Sequence, residues 1–157
     1  MLYFINELFH NNVLMSGLSS WFFAQFLKIL IEIFSFNIKK TPFNTKDFLK
    51  KTFFETGGMP SSHSATISAM SISIAFSNGI RSPIFALSLV LVFIVVRDAT
   101  GVRLSSGRQG QLLNQIIDQF YSEKGIKKIK EVRGHTPMEC FIGLIIGVLI
   151  ALGVNLL

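Results

Sequence analysis

The run Pro83-Ile-Phe-Ala-Leu-Ser-Leu-Val-Leu-Val-Phe-Ile-Val-Val, residues 83–96, holds no charge and a single hydroxyl. A second run, from Phe141 to Leu157, also lacks charged residues. With their flanks these become spans of about Pro83–Val102 and Pro137–Leu157, near the roughly 20 helical residues that a bilayer core requires. Two more segments are apolar enough to cross, about Val13–Phe36, which carries Lys28 and Glu32, and Ser62–Ile80. The second of these is diluted by Ser64, Ser68, Ser71, Ser73 and Ser77. Around these runs lie 157 residues that are half hydrophobic, with only 15 basic and 9 acidic side chains. A water-soluble chain of this size needs more charge to cover its apolar surface. The 16 Phe exclude disorder, and the single cysteine, Cys140, excludes a disulfide scaffold. The fold class expected is all-α: a polytopic membrane bundle of about four transmembrane helices, one membrane-embedded domain over residues 1–157.

The positions of the basic residues predict its orientation. Lys39, Lys40, Lys46, Lys50 and Lys51 follow the first span. Arg97, Arg103, Arg108, Lys124, Lys127, Lys128, Lys130 and Arg133 lie between the third and fourth, and only Arg81 sits in the loop between the second and third. Thus 13 of 15 basic residues fall in two connections on one side of a four-span topology. By the positive-inside rule that side is cytoplasmic and both termini are outside. The same asymmetry accounts for the pI near 9.7, so no nucleic-acid partner is expected. Residues 1–12 carry no Lys or Arg and no signal-cleavage pattern, and read as a short interfacial segment. Leu112, Leu113, Ile116, Ile117 and Phe120 recur at helical spacing, predicting an amphipathic cytoplasmic helix that docks by its apolar stripe or covers a site.

Three polar clusters fall at that same face. They are Thr56-Gly-Gly-Met-Pro-Ser-Ser-His63-Ser64, Arg97-Asp-Ala-Thr-Gly-Val-Arg103 and Arg133-Gly-His135-Thr-Pro-Met-Glu139. His63 and His135 therefore sit at helix N-termini, where free N–H groups and the helix dipole attract phosphate. Gly57 and Gly58 permit close backbone approach to a ligand, and Pro60 and Pro137 suit a first helical turn. Two histidines facing one phosphate divide the work: one attacks phosphorus, the other protonates the leaving alkoxide. A carboxylate one turn beyond the nucleophile orients its ring, and Arg or Lys neutralises the equatorial oxygens.

The order G-G-M-P-S-S-H-S-A, D-A-T-G-V-R, G-H-T-P-x-E resembles the divergent branch of the type 2 phosphatidic acid phosphatase superfamily, which also includes bacterial acid phosphatases and vanadium-dependent haloperoxidases. The resemblance covers nearly the whole chain. It implies that His135 is the nucleophile, His63 the general acid and Glu139 the orienting carboxylate. The active relatives carry P-S-G-H where this chain has Pro60-Ser61-Ser62-His63, and S-R-x5-H-x3-D where it has Ile129 six residues before His135. Their first motif, K-x6-R-P, is absent. The resemblance thus leaves Lys130 or Arg133 to replace the arginine and Lys28 to replace the lysine. With Gly58, Ser61, Ser62 and Arg103 these make the expected phosphate-binding set.

Each residue also has a structural explanation. Thr136-Pro-Met-Glu139 is a capping box, and Ser61 or Ser62 is a suitable helix cap. Gln25, Lys28 and Glu32 share one face of the first span, where Lys28 either pairs with Glu32 or meets a phosphate. Asp98 either pairs with Arg97 or Arg103 or holds a cation. Gly143 and Gly147 form a G-x-x-x-G pair suited to helix packing, including packing against a second copy of the chain. His10 belongs to the opposite side. The reading that follows is a membrane phosphatase acting on a lipid phosphate monoester through phosphohistidine, without metal or cofactor. The alternatives are a module that binds or moves lipid phosphates without chemistry and a structural protein assembled through its glycine faces.

Overall fold

The computed structural model describes residues 2–39, 57–121, 125–129 and 131–156. Lys40, Lys46, Lys50, Lys51, Lys124 and Lys130 lie outside the described residues. All regular structure among the described residues is helical. The helices are α1 (Leu2–Phe9), α2 (Asn12–Lys39), α3 (Ser62–Asn78), α4 (Pro83–Arg97), α5 (Arg103–Phe120) and α6 (Pro137–Leu156), with a π-helical turn, Asp98–Val102, joining α4 to α5.

Polar caps start these helices where the apolar runs begin. The Asn11 carboxamide accepts from the Leu14 N–H ahead of α2, Ser61 from Ser64 at α3, and Ser82 from Phe85 at α4. Each satisfies an N–H that has no partner within its helix. Pro83 and Pro137 open their helices, whereas Pro60 precedes the Ser61 cap and stands outside α3. Gly79, at φ +82°, ends α3 in a backbone conformation that L side chains rarely adopt.

Among the described residues, three helical stretches are long and apolar enough to cross a bilayer: Asn12–Ser35, Pro83–Phe120 and Pro137–Leu156. The fourth expected span, α3, has 17 residues, about 26 Å of helix. It is also the most enclosed, packing against α6, α2 and α4. A helix walled by other helices need not present an apolar surface to lipid, which is why its sequence carries so much serine. Ser62, Ser64, Ser68, Ser71 and Ser73 are all buried. The Ser68 hydroxyl donates to the Leu144 carbonyl of α6, Ser71 pairs with Ser88 of α4 at 2.9 Å, and Ser73 bonds Asn155 of α6.

The interior is small and the exterior large. Ala24, Ala65, Ala69, Ala151 and Cys140 are buried, while Phe22, Phe26, Phe34, Leu87, Phe93, Phe141 and Leu149 point outward. That is the inverse of a water-soluble helical domain and the arrangement expected when lipid is the solvent. Gly143 and Gly147 lie in the α3–α6 contact. A Cβ at Gly143 would strike the Ser61 carbonyl, and one at Gly147 the Ser68 hydroxyl and the Ala65 carbonyl. The glycine pair therefore serves packing within the chain, and its face is filled by α3.

The third span does not stop at the Arg97–Arg103 cluster. The π turn carries the helix on into α5, with the Arg103 N–H bonding the Asp98 carbonyl. The side of α5 that meets the chain holds buried Gly107, Gly110 and Asn114, not the apolar stripe. Gly107 and Gly110 admit the backbone of residues 131–133. Asn114 donates to the Ile129 carbonyl and the Glu131 carboxylate and accepts from the Ile129 N–H. Leu112, Leu113, Ile116 and Phe120 face away from the rest of the chain, so this stripe does not dock α5 on the bundle.

Candidate functional site

The N-termini of α3 and α6 lie side by side, tied by a bond from the Ser61 N–H to the Glu139 carbonyl at 3.1 Å. The helices run parallel, since Ser73 near the end of α3 meets Asn155 near the end of α6. That register brings His63, in the first turn of α3, and His135, just ahead of α6, to one end of the bundle.

The π turn supplies the next constraint. The Ala99 carbonyl accepts the His135 N–H at 3.0 Å, so the π turn fixes the backbone on which this imidazole is mounted. Gly134 makes the approach feasible, because a Cβ there would strike the backbone of Arg103 and Leu104.

Thr136 and Glu139 close the capping box: the Glu139 carboxylate accepts from the Thr136 N–H at 3.0 Å and the Thr136 hydroxyl accepts from the Glu139 N–H at 3.3 Å. The same carboxylate oxygen, Oε2, contacts His135 Nδ1 at 3.2 Å. Capping and ring orientation, two separate explanations in the sequence, are one geometry. A carboxylate only accepts, so Nδ1 carries the proton and the lone pair lies on Nε2. His135 is 4% exposed. Burial holds its imidazole below the ordinary value, against the hydrogen bond and charge of Glu139, which act the other way.

His63 and His135 line a common cavity of about 210 Å³ with Asp98, Arg103, Arg133, Ala99, Ile94 and Val95. Arg133 also borders a neighbouring cavity of about 300 Å³, whose walls include Lys28, Glu32, Gly57, Gly58 and Met59. Gly57 and Gly58 both have positive φ, at +139° and +83°, and Gly58 lies against the Lys28 stem. Lys28 is only 7% exposed. Among the described residues no ion pair reaches its ammonium, and the i,i+4 pair with Glu32 is not formed, although Glu139 and Glu32 act on it electrostatically. Asp98 instead forms its ion pair with the Nε of Arg103, at a half-exposed position.

Of the site residues expected from sequence, His63, His135, Asp98, Arg103 and Arg133 thus share one cavity. Lys28 and Gly58 border the adjoining one, and Glu139 sits behind His135. Ser61 and Ser62 line neither: Ser61 is spent as the α3 cap and both are buried. Lys130 lies outside the described residues. His10, bonded to the Asn6 carbonyl, is exposed at the α2 start, at the opposite end.

A sequence profile described as the divergent PAP2 family matches residues 9–150. The chain belongs to the divergent PAP2 family. It is 36% identical, over 93% of its length and 95% of the relative's, to the uncharacterized membrane protein YuiD of Bacillus subtilis (strain 168). No solved structure matches it. In this divergent PAP2 member, Ala99, Asn114 and Gly134 position the site without standing out as chemistry in the sequence. The spacing Gly107–Gly110–Asn114 was the available signal for one of them, a small and polar face on a helix whose opposite face is apolar.

Proposed function

We propose that this protein hydrolyses a lipid phosphate monoester at the cytoplasmic membrane face through a phosphohistidine intermediate. The observation that carries the reading is the convergence of His63 and His135 on one cavity with Arg103 and Arg133, backed by Glu139 on His135 Nδ1. His135 Nε2, neutral and carrying its lone pair, attacks phosphorus as the P–O bond to the lipid breaks. His63 gives its proton to the departing alkoxide, then takes one from the water that attacks the P–N bond, releasing phosphate and free His135. Arg103, Arg133 and the buried Lys28 neutralise the equatorial oxygens. Lipid as substrate is supported by Ile94 and Val95 in the cavity wall, on a helix whose Leu87, Val90, Leu91 and Phe93 face outward. The cytoplasmic assignment rests on the basic residues at this end of the bundle, Arg103, Arg108, Lys127, Lys128 and Arg133 among them.

The test is phosphate release by the purified protein from phosphatidic acid and from polyprenyl phosphate in detergent micelles, with His135→Ala and His63→Ala as controls. Expected are an acid-labile phosphoprotein in the wild type and in His63→Ala, and none in His135→Ala. Wild type no faster than both variants refutes the enzyme reading. A second reading, anion binding or transport without chemistry, is favoured by Ile129 standing where active relatives place arginine. It predicts protection by lipid phosphates with no turnover.

A further inference from the structure

The site holds two histidines, and only one of them has a carboxylate bound to its ring. His135 has Glu139. The ring of His63 makes no hydrogen bond among the described residues, yet it lines the same cavity as Asp98. Asp98 uses Oδ2 for the Nε of Arg103, and none of the described residues donates to Oδ1. An imidazole and a carboxylate oxygen, neither hydrogen-bonded among the described residues, therefore line one small cavity.

We propose that Asp98 is the positioning carboxylate of His63: it holds a proton on that ring when an anion occupies the cavity, while Arg103 pins the carboxylate from its other side. The inference rests on the anion site proposed above. It gives each histidine its own acid, Glu139 keeping Nε2 of His135 free to attack and Asp98 keeping His63 charged to donate.

The balance of charge around His63 explains why the anion is needed. Lys28 approaches from α2, Arg103 from the start of α5, and Arg133 and His135 from the segment before α6, with Glu139 behind His135. Arg103 and Lys28 bring positive charge to His63, and Asp98, already engaged by Arg103, brings negative charge. A tetrahedral dianion occupies the cations and leaves Asp98 Oδ1 to His63. Its ion pair with Arg103 engages Oδ2 alone, at a half-exposed position, so Oδ1 is available to the ring.

The experiment uses the full chain in detergent micelles with sulfate, a tetrahedral dianion that does not titrate near neutrality. The three histidines give three sets of ring ¹⁵N signals, assigned with His→Gln variants. At pH 7, sulfate is expected to convert His63 from neutral to protonated. Asp98→Asn, nearly isosteric, is expected to cut the protonated-to-neutral ratio of His63 about tenfold while sulfate still binds, and Asp98→Glu to restore it. Glu139→Gln shifts His135 and leaves His63 unchanged. Asp98→Ser serves if the asparagine variant does not fold. Sulfate bound with His63 still neutral, or with Asp98→Asn behaving as wild type, overturns the inference alone. No sulfate effect on any ring signal or on thermal stability overturns the anion site and the inference with it.

Discussion

Glu139 offers the sharpest test of the site, because one carboxylate oxygen serves a helix cap and an imidazole at once. Glu139→Ala removes the acceptor for the Thr136 N–H and for His135 Nδ1 together. Losing that half of the capping box costs about 1 kcal/mol. Orphaning the Nδ1 donor costs about 2 kcal/mol more, since the ring is 4% exposed and water cannot replace the partner. The sum, about 3 kcal/mol, corresponds to a fall in Tm of roughly 6–12 °C for a chain of this size. Glu139→Gln keeps an oxygen in place to accept both N–H groups and loses only the charge, so its cost is at most about 1 kcal/mol. Thermal unfolding of the three proteins in the same detergent, followed by circular dichroism, measures both. The reasoning is refuted if the glutamine variant loses as much as the alanine variant, or if alanine costs nothing.

Stability should also fall as pH drops below about 6.5. Burial depresses the His135 imidazole in the folded protein, so the unfolded chain binds the proton more readily, and His135→Gln should flatten the dependence between pH 7.5 and 5 in the same unfolding assay. Lys28→Met removes a buried ammonium that has no ion pair among the described residues. It should raise the Tm of the anion-free protein by a few degrees, about 1 kcal/mol, and abolish protection by sulfate. Gly147→Ala places a Cβ against the Ser68 hydroxyl and the Ala65 backbone and should cost about 2 kcal/mol or more. Gly153→Ala, on the same helix with open space around it, should be neutral or slightly stabilising.

Composition and order alone determined that this chain is a helical membrane protein and placed His63 and His135 at the starts of two of its helices, near clusters of basic residues. These properties depend on short segments: an apolar run either reaches bilayer length or does not, and a capping box or a proline at a first turn acts within four residues. The α3 serines illustrate the limit of such reading. Along the chain they weaken a span, and only the packing of α2, α4 and α6 around them makes hydroxyls the fitting surface. The same holds for Gly143 and Gly147, whose spacing suits any close-packed partner until the parallel register of α3 and α6 supplies it.

The site divides in the same way. Glu139 follows His135 by one turn, so their contact was readable from spacing. Lys28 lies on α2 and Asp98 in the π turn, far from the histidines in sequence, and nothing local says whether each finds an ion-pair partner. The tertiary structure decided that Asp98 meets Arg103 while Lys28 stays unpaired among the described residues beside Gly58. It also decided that the Ala99 carbonyl and Asn114 hold the segment leading to His135. Backbone acceptors have no signature in a sequence, because every residue has one; which is left free to hold a distant chain depends on the helix geometry at that point.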